Sequence, residues 1–81
     1  MATTLEIINE VFRNLLNKPD LKLTLSDSPD TVSGWDSLTH PELISGIEEK
    51  LDIEFSFKEL ASIKDIAYLI ELTNSKLNTL K

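Results

Sequence analysis

Residues 34–51 read GWDSLTHPELISGIEEKL, and this stretch decides the fold. Its second half has the spacing of a helix that buries one face, with apolar residues at Leu43, Ile44, Ile47 and Leu51. The start of this helix has two alternatives. Asp36 could cap it, or Thr39 and Glu42 could form a capping box with Pro41 in the first turn. The sequence thus predicts a second long helix whose start is open by about one turn.

A polar segment rich in Asp, Ser, Thr and Pro, from Lys18 to Asp36, precedes this helix. Apolar residues are spaced through it at Leu21, Leu23, Leu25, Val32 and Trp35. We interpret the segment as one long loop that is pinned to the core, and loops of this length tend to be functional. A second interpretation takes the alternation at 21–25, repeated at 53–57, as two short strands, but a lone pair of strands is marginal.

The first helix is predicted from Thr4 to about Leu16 by an apolar stripe at Leu5, Ile8, Val11, Phe12, Leu15 and Leu16. Thr3 and Glu6 have the spacing of a capping box at its start, and Asn17 and Pro19 mark its end.

Two further helix starts follow the second helix. Ser56 and Glu59 predict a capping box that opens a short helix to about Ala61. Ser62 with Asp65 predicts the start of a last helix that ends near Thr73, followed by a frayed tail over residues 74–81. We therefore expect an all-α fold in one domain spanning residues 1–81. It is a small four-helix bundle of three longer helices and one short helix, with a long loop between the first two.

The composition of the chain excludes several classes of function and of binding site. The 81 residues carry a net charge of −6, which disfavours nucleic acid and favours basic protein partners. There is one histidine and no cysteine, so metal sites built on His or Cys pairs and disulfides are excluded. No apolar run approaches the roughly 18 residues of a membrane span, and no signal peptide is evident. We expect a cytoplasmic monomer that does not insert into membranes.

Asp36, Ser37 and His40 are the residue types of a hydrolytic triad, but they are crowded at one helix entrance, and we predict no catalytic residue. The turn GWDSL could be an ordinary N-cap. Alternatively, Ser37 could carry a phosphate ester, because backbone N–H groups and the positive end of a helix stabilise negative charge.

Residues 36–43, DSLTHPEL, resemble the attachment motif of acyl carrier proteins. Residues 30–35 and the downstream Glu48, Glu49, Ile53, Glu54 and Phe55 are similar to a subgroup of discrete bacterial carriers, so that the resemblance covers nearly the whole chain. It implies a non-enzymatic protein that carries acyl groups as thioesters for fatty-acid, polyketide or specialised lipid biosynthesis. The implied cofactor is 4'-phosphopantetheine, donated by coenzyme A and attached to Ser37.

The resemblance also implies roles for neighbouring residues. Asp36 would be recognised by the phosphopantetheinyl transferase, and Leu38 would be a hydrophobic contact for partner enzymes. Partner enzymes, among them acyl-loading ligases or acyltransferases and condensing and modifying enzymes, would dock basic patches against Glu42, Glu48 and Glu49. Candidate residues lining an acyl pocket, with plain core as the alternative, are Ile44, Ile47, Ile53, Leu60, Ile63 and Ala67.

The charge pattern agrees with such docking. From Asp27 to Glu49 there are six acidic residues and no Lys or Arg, although a solvated acidic face is the alternative. Thr39 and Pro41 depart from the family pattern, and Pro41 affects the turn that bears Ser37. We interpret His40 as a surface or capping residue and Trp35 as a core or loop anchor. The competing function is an acidic helical interaction module with the carrier fold that stays unmodified.

Overall fold

The computed structural model describes residues 3–79. Its helices are α1 (Thr4–Leu16), α2 (His40–Leu51), α3 (Phe57–Ser62) and α4 (Ile66–Thr79). The predicted all-α bundle, with one short helix and a long first loop, is confirmed. Residues 3–79 contain no strand, so the two-strand alternative is wrong. None of the helices in this part of the chain has the length and apolar character needed to cross a membrane.

Helix starts follow the side chains that bind free backbone N–H groups. Thr3 Oγ1 accepts the Glu6 N–H at 3.2 Å, and Ser56 and Glu59 form the complete predicted box at the start of α3. For α4, Asp65 Oδ1 accepts the Tyr68 N–H at 2.8 Å. Ser62, the other predicted start residue, instead ends α3 and donates its hydroxyl to the Lys58 carbonyl.

Helix α4 is longer than predicted. It continues past Thr73 to Thr79, so the predicted frayed tail is helical over residues 74–79, and its last two residues lie outside the described part of the chain. The Thr4 hydroxyl donates to Asn74 Oδ1 at 2.6 Å and ties this extension to the start of α1. Partners 70 residues apart leave no local pattern by which the extension could be predicted.

The core lies where α1, α2 and α4 meet the inner side of the long loop. Its buried side chains are Ile8, Val11, Phe12, Leu23, Val32, Trp35, Leu43, Ile44, Ile47, Ile63, Ile66 and Leu69. Phe12 and Trp35 pack edge to face with ring centroids 5.1 Å apart. Trp35 is 2% exposed, which confirms it as an anchor of the loop.

The loop between α1 and α2 is fixed by hydrogen bonds to α1 and to the start of α4. Buried Asn9 accepts the Leu23 N–H through Oδ1 at 2.8 Å. The carbonyls of Leu25 and Asp27 accept the N–H groups of Ala67 and Ile66, the first residues of α4. The loop therefore caps α4, even though the Leu25 side chain is 56% exposed and does not pin it. This path delivers residues 34–39 to the entrance of α2.

Candidate functional site

The site is built on a tight turn over residues 34–39. Gly34 has φ +95°, a conformation that favours glycine. Asp36 Oδ1 accepts the N–H groups of Leu38 and Thr39 at 2.9 and 3.0 Å. In return, Thr39 Oγ1 accepts the Asp36 N–H at 2.9 Å and donates to the Gly34 carbonyl at 2.6 Å. Of the two predicted caps, Asp36 is the one that binds free N–H groups, whereas Thr39 forms no capping box with Glu42 and instead closes the turn onto Asp36 and Gly34.

Regular helix begins only after this turn, at His40, with Pro41 in the second helical position. Proline is tolerated there because the N–H that it lacks has no intrahelical partner at a helix start. Ser37 remains in the turn rather than in the helix. Pro41 therefore fits the turn that carries Ser37.

Ser37 stands at the exposed apex of the turn. Its hydroxyl makes no hydrogen bond to the described residues, so it is free to react with an approaching group. Next to it, Leu38 is 81% exposed, an unusual position for a large apolar side chain. The structure thus places an exposed hydroxyl, which can act as a nucleophile, beside an exposed apolar side chain.

Asp36 keeps a negative charge beside Ser37. Hydrogen bonds from the backbone N–H of Thr39, and then from that of Leu38, lower the pKa of the Asp36 carboxyl below its ordinary value. Its charge serves to hold the turn, because Oδ1 is bound to these two N–H groups.

His40 is not the surface or capping residue that the sequence suggested. It is half-buried, and both ring nitrogens are bound: Trp35 Nε1–H donates to Nδ1 at 2.9 Å, and Nε2 lies 2.9 Å from the Leu60 carbonyl oxygen. Neither nitrogen is therefore available to Ser37, and the two residues form no triad with Asp36.

An open groove of about 490 Å³ lies beside Ser37. It is lined by Pro29, Asp36, Ser37, His40, Pro41, Phe57, Leu60, Ala61 and Ile63. Of the six predicted pocket residues, only Leu60 and Ile63 contribute to this groove. Ile44 and Ile47 are buried in the core, buried Ile53 lines a separate pocket near α4, and Ala67 is exposed on α4.

Phe57, like Pro29 and Ala61, is a groove residue that the sequence interpretation missed. It is 84% exposed at the first position of α3, on the wall of the groove. The signal available in the sequence was a large aromatic residue directly after the Ser56 cap, which a short helix cannot bury.

The whole chain can be compared with solved structures. It is similar to the solution NMR structure of a holo acyl carrier protein from Geobacter metallireducens, with 31% sequence identity and a TM-score of 0.86. The match covers 95% of this chain and 88% of that one.

The chain belongs to the acyl carrier protein family. A scan against protein-family models and a search of curated proteins gave no match. The structural relative is the deciding observation for this assignment.

The predicted acidic docking residues of this acyl carrier protein are not equivalent. Glu42 and Glu49 are exposed on α2. Glu48 is half-buried, and its Oε2 accepts the Phe55 N–H at 2.7 Å, so it holds the loop between α2 and α3. Ion pairs among the described residues join Glu10 to Lys50 and Glu59 to Lys76. The acids on either side of Ser37 in the sequence, Asp36 and Glu42, are therefore not neutralised by an ion pair within this part of the carrier.

Proposed function

We propose that this protein carries acyl intermediates on a 4'-phosphopantetheine arm attached to Ser37 and delivers them to biosynthetic enzymes. When bound, the arm supplies a terminal thiol that holds the acyl group as a thioester. The observation that carries the proposal is the exposed Ser37 hydroxyl, which makes no hydrogen bond to residues 3–79 and stands at the apex of a turn in an acyl carrier fold.

The surroundings of Ser37 fit such an arm. The hydroxyl projects from a turn whose local shape is fixed by hydrogen bonds of Asp36 and Thr39. The adjacent groove offers apolar surface from Pro29, Phe57 and Ala61. The chain has no cysteine, and the thiol of the arm would be the only one in the protein.

Tethering explains how a protein without catalytic residues can serve a pathway. A group held on a flexible arm reaches the active site of a docked enzyme intramolecularly, at an effective concentration in the millimolar range for a short flexible link. The chain's own residues need only position the attachment atom and recognise the partner.

Partner recognition is assigned to Leu38 and the exposed acids Glu42 and Glu49. The partners would be a phosphopantetheinyl transferase and cytoplasmic enzymes that load, condense or modify acyl groups, each with a basic patch. Acidic surface charge attracts such patches over a Debye length of about 8 Å and accelerates association without requiring tight binding.

The attachment is tested by incubating the protein with coenzyme A and a phosphopantetheinyl transferase of broad range, followed by intact-mass measurement. We expect the gain of one phosphopantetheine in the wild type and in Ser33→Ala, an exposed serine of the same loop, but none in Ser37→Ala. No gain in the wild type, while a reference carrier is modified, would instead favour the unmodified interaction module.

Docking is tested by charge reversal. Glu42→Lys with Glu49→Lys is expected to lower kcat/KM of the transferase by about tenfold or more at low salt, since steering depends on local charge. The matched control is Glu6→Lys with Glu71→Lys, which makes the same change in net charge at exposed positions of α1 and α4. Equal losses in both double variants would mean that net charge, not the α2 face, governs association.

A further inference from the structure

His40 connects three parts of the fold at the floor of the groove. From the first position of α2, its ring reaches Trp35 in the loop and the Leu60 carbonyl in α3. The indole N–H can only donate, so Nδ1 is the acceptor and the ring proton resides on Nε2, which donates to Leu60. Each nitrogen therefore has one fixed role.

This bridge holds α3 against α2. Helix α3 has no fully buried residue, and its apolar packing against the core comes from one partly buried side chain, Leu60. The His40 bond to Leu60 lies on the side of α3 near Ser37, and the ion pair between Glu59 and Lys76 joins α3 to α4. The seam between α2 and α3 is thus closed near Ser37 by a hydrogen bond from one side chain.

Of the buried core side chains, Ile63 alone lines the groove, whereas Ile44 and Ile47 of α2, at 2% and 0% exposure, do not. The His40 ring joins the start of α2 to the Leu60 carbonyl of α3 and lines the groove. A chain attached at Ser37 that passed between the two helices at this point would have to move the ring. That movement would leave the buried indole N–H of Trp35 without its acceptor, and an unpaired buried donor is costly.

We propose that His40 determines where the cargo lies: by bridging Trp35 to Leu60 it keeps the interior closed, and the apolar chain carried at Ser37 occupies the open groove. The carried chain is the expected occupant of the groove, because it is attached to Ser37 and Ser37 itself lines the groove. The walls offered by Pro29, Phe57 and Ala61 suit a hydrocarbon chain, and a volume of about 490 Å³ lies within the range of small-ligand sites, roughly 300–1,000 Å³.

The inference rests on the proposed function for its biological meaning, but it can be tested without any transferase. The chain has no cysteine, so Ser37→Cys places one thiol at the attachment position. Octyl methanethiosulfonate converts that thiol to an octyl disulfide, and methyl methanethiosulfonate gives the matched adduct without the chain. Comparison of the two adducts by NMR reports the location of the octyl chain alone.

In Ser37→Cys with His40 intact, we expect the octyl chain to shift the backbone amide signals of Phe57, Leu60 and Ala61 and to leave the methyl signals of Ile44 and Ile47 unchanged. Adding His40→Ala should extend the shifts to the methyl groups of Ile44 and Ile47. Shifts at these two residues while His40 is present, or an unchanged pattern after His40→Ala, would overturn the proposal.

Two further variants distinguish the effect of losing the His40 hydrogen bonds from a general loss of structure. His40→Gln offers an amide oxygen as acceptor and an amide N–H as donor, and should restore the pattern confined to the groove. Trp35→Phe keeps an aromatic ring but removes the indole N–H. Movement of the His40 ring then leaves no buried donor without an acceptor, so the octyl chain should shift the signals of Ile44 and Ile47. If His40→Ala does not fold, the absence of such shifts in Trp35→Phe overturns the proposal.

The outcomes also distinguish this inference from the proposed function. An octyl chain confined to the groove, together with a Ser37 that no transferase modifies, would refute the function and leave the closure intact. A modified Ser37 whose octyl counterpart enters the core while His40 is present would refute the closure alone.

Discussion

Asp36 shows how one side chain can link the fold to the site. Its carboxylate accepts hydrogen bonds from the N–H groups of Thr39 and Leu38, which follow Ser37, and these bonds lower its pKa. A lowered pKa in the folded state means that the charged carboxyl stabilises the protein. This contribution is complete above the ordinary carboxyl pKa, about 3.9 for Asp, and is lost as the pH falls through the lowered value.

Asp36→Asn should therefore change the pH dependence of stability. An asparagine oxygen can accept the same N–H bonds but carries no charge that titrates. We expect the wild type to exceed the variant in stability at pH 7, and this advantage to shrink as the pH is lowered below about 4. Urea unfolding at a series of pH values measures it. Asp30→Asn, at an exposed carboxylate of the same loop, is the control, and an advantage that is independent of pH would contradict the assignment.

At the same scale, His40 marks the limit of sequence interpretation. The Asp36 cap could be predicted because its partners lie two and three residues away. His40 binds Leu60, which is 20 residues away, and that pairing depends on how the loop and α3 are placed. Trp35 was correctly predicted as an anchor from its residue type, but its hydrogen bond to His40 required the folded turn.

At the scale of elements, local patterns predicted the helices and tertiary contacts set their limits. The bounds of α1 follow from its stripe and the Thr3 cap, and those of α3 from the Ser56 and Glu59 box. The start of α2 stayed open because Asp36 and Thr39 were both plausible caps; in the structure Asp36 binds the free N–H groups, and Thr39 bonds back to Asp36 rather than forming a box with Glu42. Of the predicted pocket residues, only Leu60 and Ile63 line the groove, because helical spacing identifies buried residues but not which of them adjoin Ser37.

The packing of α1 on α2 depends on Gly46. A Cβ at this position would lie 2.8 Å from Cγ1 of Val11, a stiff β-branched side chain, and 3.5 Å from Leu15 Cδ1. Glycine therefore allows the two helices to approach, although it costs about 1 kcal/mol in helix propensity relative to alanine.

The effect of Gly46→Ala on the unfolding free energy should change sign when the residue at position 11 is changed. In the wild type, overpacking of about 1–3 kcal/mol outweighs the propensity gain, and we expect a net loss of about 1 kcal/mol in unfolding free energy. In a Val11→Ala background the obstructing methyl is absent, and the same substitution should stabilise by up to about 1 kcal/mol. Urea unfolding of the four proteins forms a double-mutant cycle. Destabilisation of equal size in both backgrounds would rule out the contact with Val11 as the cause.

At the scale of the whole molecule, the structure shows where the acidic residues behind the net charge of −6 lie and which of them are paired. Ion pairs among residues 3–79 engage Glu10 and Glu59, and Glu48 is used inside the fold. Exposed Asp36, Glu42 and Glu49 stay outside these pairs, on the turn and on α2. The acidic concentration could be predicted from the sequence, but which of these acids are exposed and outside the bonds of the fold could not, because that depends on contacts such as the bond between Glu48 and Phe55.

Stability should also be unevenly distributed over the molecule. Helices α1 and α2 contribute four and three buried residues, whereas α3 contributes none and is held by partly buried Leu60 and by polar contacts to α2 and α4. Regions with little buried apolar surface open at lower free energy than the core. Opening of α3 alone would expose the groove floor while Ile8, Ile47 and Leu69 remain packed.

Native-state amide hydrogen exchange measures this difference residue by residue. We expect the amides of Leu60 and Ala61 to exchange at least tenfold faster than those of Phe12 and Ile47, which corresponds to about 1.4 kcal/mol or more in opening free energy. Ser56→Ala removes the hydroxyl half of the α3 capping box and should accelerate exchange in α3 without affecting α1. If α3 exchanges at the rate of α2 in the wild type, and Ser56→Ala accelerates both equally, then the two helices open as one unit and the seam between them is not an independent element of the fold.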